Sequence, residues 1–310
     1  MNSFGNMKKV LVCLDETDMD PVIIKFGEYF ARHLLKVDEI HFVSAYKPQS
    51  FYEELDESLT SSLDEQFEQR IKYIDKQVSE NTGKQSSIKR IIMLLKGHPL
   101  DEILKYAEKA NIDLVILGKK PGSLSTGILA QKLTRKLSRS VLLVPNVAVP
   151  FISSTLLPVD FSHHSVLAIN FAKGLQNLDN SLTYDLLHVY DVPLGYTNTG
   201  KTLKEMVEIM REKSLNFWRK FCRKNEYQPE EFNFSLIFNR MNSCSSHIRE
   251  HLTNSHYDFL ILGSKGQSNS SYFLLGSETE KVIYDDIDVP VLILKVKGEN
   301  IDIWDAIKKL

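Results

Sequence analysis

The stretch Ile112-Asp-Leu-Val-Ile-Leu-Gly118 returns as Tyr257-Asp-Phe-Leu-Ile-Leu-Gly263, 145 residues further on. Each is an apolar run held between an aspartate and a glycine, the pattern of a short strand buried on both faces and ended by a turn. Other landmarks keep the same spacing. Asp15 closes VLVCLD as Asp160 closes TLLPVD, and Pro48 and Pro193 each follow a second apolar strand. Ile103 and Ile248 fall on corresponding helical segments. One register, kept through strands and turns alike, marks an internal duplication.

Within each copy, strand and helix patterns alternate. Copy one predicts strands at Lys9–Leu14, Ile40–Ala45, Arg90–Leu95, Leu114–Leu117 and Val141–Val144. Helices are predicted over PVIIKFGEYFARHLL, which has Pro21 in its first turn, and near 53–80, 99–109 and 127–137. The fold class that follows is α/β, with two tandem doubly wound, five-stranded parallel-sheet domains of Rossmann-like type and helices on both faces. The prolines of VPNVAVPF set the boundary, giving domains 1–148 and 149–310. The terminal IDIWDAIKKL reads as a tail helix that either packs on its own domain or docks a partner. In such sheets ligands bind beyond the carboxyl ends of the strands, where strand order reverses. Asp15, Asp160, Gly118 and Gly263 all stand at such ends.

Composition narrows the function classes. With 310 residues, 43% hydrophobic, 25% charged and a net charge of −2, the chain offers no global basic field for nucleic acid or anionic membrane. No window reaches the apolar length of a membrane span. The start, MNSFGNMKKVLVCLDE, has too short an apolar run for a signal peptide, so a cytoplasmic location is expected. Cys13, Cys222 and Cys244 form no CxxC pair and no zinc spacing, and read as free buried thiols.

The chemistry-bearing stretch is Gly263-Ser264-Lys265-Gly266, then nine residues, then Gly276-Ser277-Glu278. Glycines let backbone approach a ligand closely. Gly276-Ser277 opens an apolar-periodic helix, whose first N–H groups and positive dipole end suit a phosphate. Ser277 adds a hydroxyl donor. Lys265 reads equally as a phosphate contact or as a solvated side chain.

Gly-x-x-Gly-(nine residues)-Gly-Ser resembles the ATP-binding signature of the universal stress protein family, matched here by Gly263, Gly266, Gly276 and Ser277. Leu157-Pro158-Val159-Asp160 resembles that family's first strand, whose Asp contacts the nucleoside. Leu187-His188-Val189 resembles its second strand, whose Val contacts adenine. Pro290-Val291-Leu292 resembles its last strand. The likeness covers nearly the whole chain as two domains and implies an adenine nucleotide alpha hydrolase-like fold. It also implies a stress-response protein that holds ATP, AMP or ADP in domain 2, with Mg entering alongside the nucleotide. The expected contacts are Pro158, Val159, Asp160, Val189, Gly263, Ser264, Lys265, Gly266, Gly276, Ser277 and Glu278. Two such domains are expected to pack as an intramolecular pseudo-dimer, with a homodimer or an unidentified protein partner left open.

Copy one departs from the signature. In Gly118-Lys-Lys-Pro121-Gly122-Ser-Leu-Ser-Thr-Gly127-Ile128, Pro121 replaces the second glycine and Ile128 replaces the serine. Asp15 remains, as does Gly97-His98-Pro99, a family-like turn lacking in copy two. Copy one is expected not to hold ATP by this loop; it either takes another ligand or is filled by its own side chains.

Competing signals are weaker. Gly195-Tyr-Thr-Asn-Thr-Gly200-Lys201-Thr202 matches the P-loop spacing, but no apolar strand ending in Asp follows it to hold magnesium. It reads as a loop near the nucleotide. Asp160 reads as a nucleoside contact, a general base, or a cap in an Asx turn. His163-His164 is expected in a solvated turn, with no partner at ligand spacing. KEMVEIMREKSLNFWRKF carries a core face. With no GxSxG elbow and no Ser-x-x-Lys, no catalytic residue is assigned. Binding is expected rather than catalysis, with weak ATP hydrolysis, a phosphotransferase and a purely structural role as alternatives.

Overall fold

The computed structural model describes residues 7–47, 57–83, 87–119, 127–241, 243–266, 275–284 and 287–297. The chain forms two compact units. The first runs to Phe151 and takes in the chain again from Lys295; the second is Ile152–Leu294. The terminal IDIWDAIKKL lies outside the described residues, as do Pro48, Pro121 and Gly122.

Unit 1 contains β1 (Lys9–Leu14), α1 (Asp20–Tyr29), β2 (Glu39–Tyr46), α2 (Glu57–Asn81), β3 (Lys89–Lys96), α3 (Pro99–Lys109), β4 (Leu114–Lys119), α4 (Gly127–Lys136) and β5 (Ser140–Pro145). Its strands are all parallel, in the order β3-β2-β1-β4-β5. Unit 2 contains β6 (Ser154–Pro158), α5 (His163–Leu178), β7 (Thr183–Tyr190), α6 (Leu203–Lys224), β8 (Asn233–Phe238), α7 (Cys244–Ser255), β9 (Phe259–Gly263), α8 (Ser277–Tyr284) and β10 (Val291–Leu294). It repeats the order as β8-β7-β6-β9-β10, again parallel. Each unit is a doubly wound α/β domain with helices on both faces.

The apolar runs become the central strands because both faces are covered. Val10, Leu11 and Val12 are fully buried, as are Leu114–Ile116 and Phe259–Ile261. α1 lies close on β1: a Cβ added to Gly27 would stand 2.7 Å from Val12 Cγ2. The helix predicted through Leu35 instead ends in a π turn, Phe30–Leu34, with Leu35 N–H donating to Phe30 O at 2.9 Å.

Strand pairing refines the duplication. Cys13 opposes Val43 and Pro158 opposes Leu187. Cys13 and Pro158 stand 145 apart, but Val43 and Leu187 stand 144 apart, so the second strands are offset by one residue from the register of the first and fourth. α6 buries Met206, Trp218, Phe221 and Cys222 along one face, as its periodicity predicted. All three cysteines are free.

The β1–α1 turn is held by a buried acid. The Asp20 carboxylate accepts the N–H groups of Asp15 (3.1 Å) and Glu16 (3.0 Å). Burial outweighs these bonds and raises its pKa from 3.8 to about 6. The folded pKa lies above the unfolded one, so the native state binds the proton more tightly. The stabilisation is complete below about pH 4 and is lost as pH rises through 6. Urea unfolding of Asp20→Asn should lack this decline, which amounts to about 3 kcal/mol at most in the parent. Identical pH profiles for the two proteins would contradict the assignment.

Candidate functional site

In unit 2 the strand order reverses between β6 and β9, and a cavity of about 340 Å³ opens at their carboxyl ends. Pro158, Val159, Asp160, Val189, Gly263, Lys265, Gly266, Gly276, Ser277 and Glu278 all line it. Ser264 is the one expected contact outside the lining. Its side chain is buried, with Oγ 3.4 Å from His164 Nδ1, and its N–H donates to Leu294 O at 3.0 Å. Sequence reading missed Ser165, Leu187, His188, Cys244, Ile248, Leu262, Thr279 and Val282, which also line the cavity. Cys244 and Ile248 come from α7, far along the chain, and no local motif announces them.

The first strand's end is a built turn. Asp160 Oδ1 accepts Ser162 N–H at 3.0 Å, the Asx geometry expected of Asp-Phe-Ser, and the Ser165 hydroxyl at 2.8 Å. Ser165 Oγ in turn accepts Asp160 N–H at 3.0 Å. Asp160 Oδ2 faces Gly266, where an added Cβ would stand 2.8 Å from it. Capping therefore occupies one oxygen of this carboxylate while the other borders the glycine loop.

β7 supplies the apolar wall and a polar backbone edge. Along a strand, successive residues turn their N–H and C=O groups to alternate sides. Leu187 O accepts Val159 N–H at 2.8 Å on the β6 side, and Tyr190 O accepts Asn239 N–H at 2.8 Å on the β8 side. Val189 therefore turns its peptide groups toward the β6 side, past the end of that strand at Pro158, where the cavity opens. His188 Nδ1–H donates to Val159 O at 2.8 Å, and burial lowers the ring's pKa, which favours the neutral imidazole. Burial also pushes the Cys244 thiol up to about 12, which keeps it protonated.

The two glycine segments are tied together. Gly276 N–H donates to Ser264 O at 2.8 Å, and Thr279 Oγ donates to Gly263 O at 2.9 Å. Gly276 precedes α8, whose first N–H groups lack intrahelical acceptors. Gly263, Gly266 and Gly276 have no positive φ; at Gly263 and Gly266 it is close approach, with an added Cβ 2.7 Å from His164 Cβ and 2.8 Å from Asp160 Oδ2, that crowds a side chain. The Glu278 carboxylate accepts Ser245 N–H in the first turn of α7 at 3.2 Å and the Lys281 ammonium at 2.6 Å.

Other expectations resolve differently. His163 is exposed, but His164 is buried rather than solvated, because its Cβ packs on Gly263. Among the described residues no three His, Cys, Asp or Glu side chains gather to hold a metal. The P-loop-like string forms an exposed 3-10 turn, Tyr196–Thr199, between Gly195 and Gly200, both at positive φ. Thr202 is the N-cap of α6; its hydroxyl donates to the Glu205 carboxylate at 2.8 Å and accepts Glu205 N–H at 3.3 Å. That hydroxyl serves a capping box.

In unit 1, Asp15 Oδ1 accepts the Thr17 hydroxyl at 2.5 Å, and Gly118 lies under Met19. Ile128 is exposed on α4. The Pro121 substitution and the shortened segment around it lie outside the described residues.

A Cβ on Gly263 would stand 2.7 Å from His164 Cβ and 3.2 Å from its carbonyl carbon, neither of which can yield easily. One on Gly276 would meet its nearest neighbour at 3.4 Å. Chemical denaturation should therefore show Gly263→Ala less stable by about 1–3 kcal/mol, with Gly276→Ala near the parent. Equal midpoints for the two variants would refute this packing.

A family model described as the universal stress protein family matches residues 6–145 and again 153–295. A structure of a functionally unknown protein from Pseudomonas aeruginosa PAO1 aligns with TM-score 0.65 and 12% identity over 100% of both chains. A universal stress protein from Archaeoglobus fulgidus aligns with TM-score 0.62 and 16% identity, over 96% of this chain and 99% of that one. A universal stress protein in complex with cAMP covers 45% of this chain and 98% of its own, at 15% identity and TM-score 0.33. No curated protein sequence matches the chain significantly. Among the described residues no helix is long and apolar enough to cross a membrane.

Proposed function

The chain belongs to the universal stress protein family, and on that premise we propose that it is a stress-response regulatory protein that binds an adenine nucleotide in unit 2. One observation carries the reading: a cavity at the β6/β9 switch point with an apolar wall on one side and the start of a helix on the other. Val159, Leu187 and Val189 suit a flat base, and the Val189 peptide groups suit its hydrogen-bonding edge. Asp160 Oδ2 suits a sugar hydroxyl. The N–H groups of Gly266, Ser277 and Glu278, with the Ser277 hydroxyl and Lys265, suit phosphate oxygens. Side chains at Gly266 and Gly276 would intrude on that space, so the residues present fit the group. ATP, ADP and AMP share these parts, and Mg enters with the polyphosphates. Three free thiols suit a reducing compartment such as the cytoplasm.

The site binds without turnover in this reading. Binding biases a conformation that a protein partner reads. Unit 1 does not hold nucleotide by its loop: Asp15, Glu16, Asp18 and Asp20 place four acids in residues 15–20 at the corresponding strand end. Phosphate release from ATP by the pure protein, abolished in Lys201→Ala, would move the function to the 195–202 loop.

Calorimetry on Gly276→Val tests the site. Affinity for AMP and ATP should fall at least about tenfold while the denaturation midpoint stays close to the parent's. Unchanged affinity would sink the loop assignment.

A further inference from the structure

Glu278 is the residue of the glycine signature whose chemistry runs against a phosphate. A carboxylate has no hydrogen to donate, and this one lines the cavity at the point where α7 and α8 both begin. Its oxygen accepts Ser245 N–H at 3.2 Å, so the α7 N-terminus, which would otherwise attract an anion, is already served from within the chain. The side chain is 42% exposed and therefore presents its charge to the cavity and to solvent. Among the described residues, the charged side chains of the lining are Asp160, Lys265 and Glu278, two acids and one base. Each further phosphate on a ligand thus brings negative charge toward the two lining carboxylates; Lys281, which pairs with Glu278 at 2.6 Å but is not itself in the lining, offsets part of that repulsion.

We propose that Glu278 is a built-in anion that makes this site prefer an adenine nucleotide with one phosphate over one with three, unless a divalent cation accompanies the triphosphate. The inference rests on the adenine-nucleotide reading of the cavity. Its mechanism is simple subtraction: the cavity offers apolar contact and peptide groups to the nucleoside part in every case. The difference between ligands is set by how many phosphate charges approach Glu278. A cation bound between the triphosphate and the carboxylate turns that repulsion into a bridge.

The test is calorimetry on the full chain at fixed ionic strength, using adenosine, AMP and ATP, in EDTA and then in Mg²⁺, for the parent and for Glu278→Gln. The amide keeps an oxygen for Ser245 N–H, and thermal melts confirm that the variant folds. In EDTA the parent should bind AMP at least about tenfold more tightly than ATP, and Mg²⁺ should narrow the gap. Glu278→Gln should tighten ATP binding in EDTA about tenfold while AMP changes less than about threefold. ATP binding as tightly as AMP to the parent in EDTA would overturn the proposal. So would a Glu278→Gln variant with the parent's AMP-to-ATP ratio. If adenosine, AMP and ATP all fail to bind both proteins, the adenine reading of the cavity falls, and this inference with it.

Discussion

An aspartate carboxylate joins the start of the first strand to the start of the fourth in both units. Asp258 accepts Ser153 N–H at 2.9 Å and Ser154 N–H at 3.0 Å, and also the Ser153 hydroxyl at 2.6 Å. Asp113 accepts Lys8 N–H at 2.9 Å and Lys9 N–H at 3.0 Å. These strands meet only after three crossovers have closed a long loop, the most expensive pairing in the fold. A slip of one residue would turn every buried side chain of the strand outward. The carboxylate satisfies the first amides of β6 and so pins Thr155 opposite Phe259. From that pairing, the ladder carries Asp160 and Gly263 to the same level at the far end. The cavity therefore takes part of its geometry from a clasp at the opposite end of these strands.

The duplication preserves this frame while changing what the frame presents. The residue after the strand-one aspartate is left-handed in both units: Glu16 at φ 59° and Phe161 at φ 64°. Both side chains then fold over the second strand. Glu16 accepts the Ser44 hydroxyl at 3.1 Å and the Arg70 guanidinium at 2.9 Å, whereas Phe161 stacks on His188 at 4.3 Å between centroids. Further on, the Asp20 carboxylate in unit 1 performs the backbone capping that the Ser165 hydroxyl performs in unit 2. An ionic cluster and an aromatic one thus occupy the same architectural place. Fold is set by the backbone and its register; the chemical character of the turn is set by which side chains fill these few positions.

Much of this was legible in the sequence, because strands buried on both faces announce themselves as unbroken apolar runs and because two copies check each other. The cavity's glycine segments and Asp160 were legible too, since they sit at strand ends within one motif. What escaped depends on contacts between distant segments. Cys244 and Ile248 reach the cavity only because β8 delivers α7 beside α8. His164 looked solvated because the sequence shows two adjacent histidines, not the glycine against which one of them packs. Val189, by contrast, was expected from the likeness of Leu187-His188-Val189 to the family's second strand, and it lines the cavity. The glycines were read as points of close approach, and at Gly263 and Gly266 close neighbours do crowd a side chain.

Phe161 shows how the cavity and the core beneath α6 depend on one another. A non-glycine residue in the left-handed region costs about 1 kcal/mol, and the Asp160 turn requires it there. The same torsion throws the ring away from the cavity and onto His188, Trp218, Phe221 and Phe234, with centroids at 4.3, 6.2, 5.6 and 6.2 Å. Aromatic contacts of this kind each return a comparable energy, so the strain is offset by packing. His188, held by that stack and by its bond to Val159 O, is thereby a fixed part of the cavity wall. The wall's shape then comes from the hydrophobic core behind it, which exists whether or not a ligand is bound. For a ligand bound as proposed, such a wall needs little ordering, and discrimination would fall to the charged end of the cavity, lined by Asp160, Lys265 and Glu278.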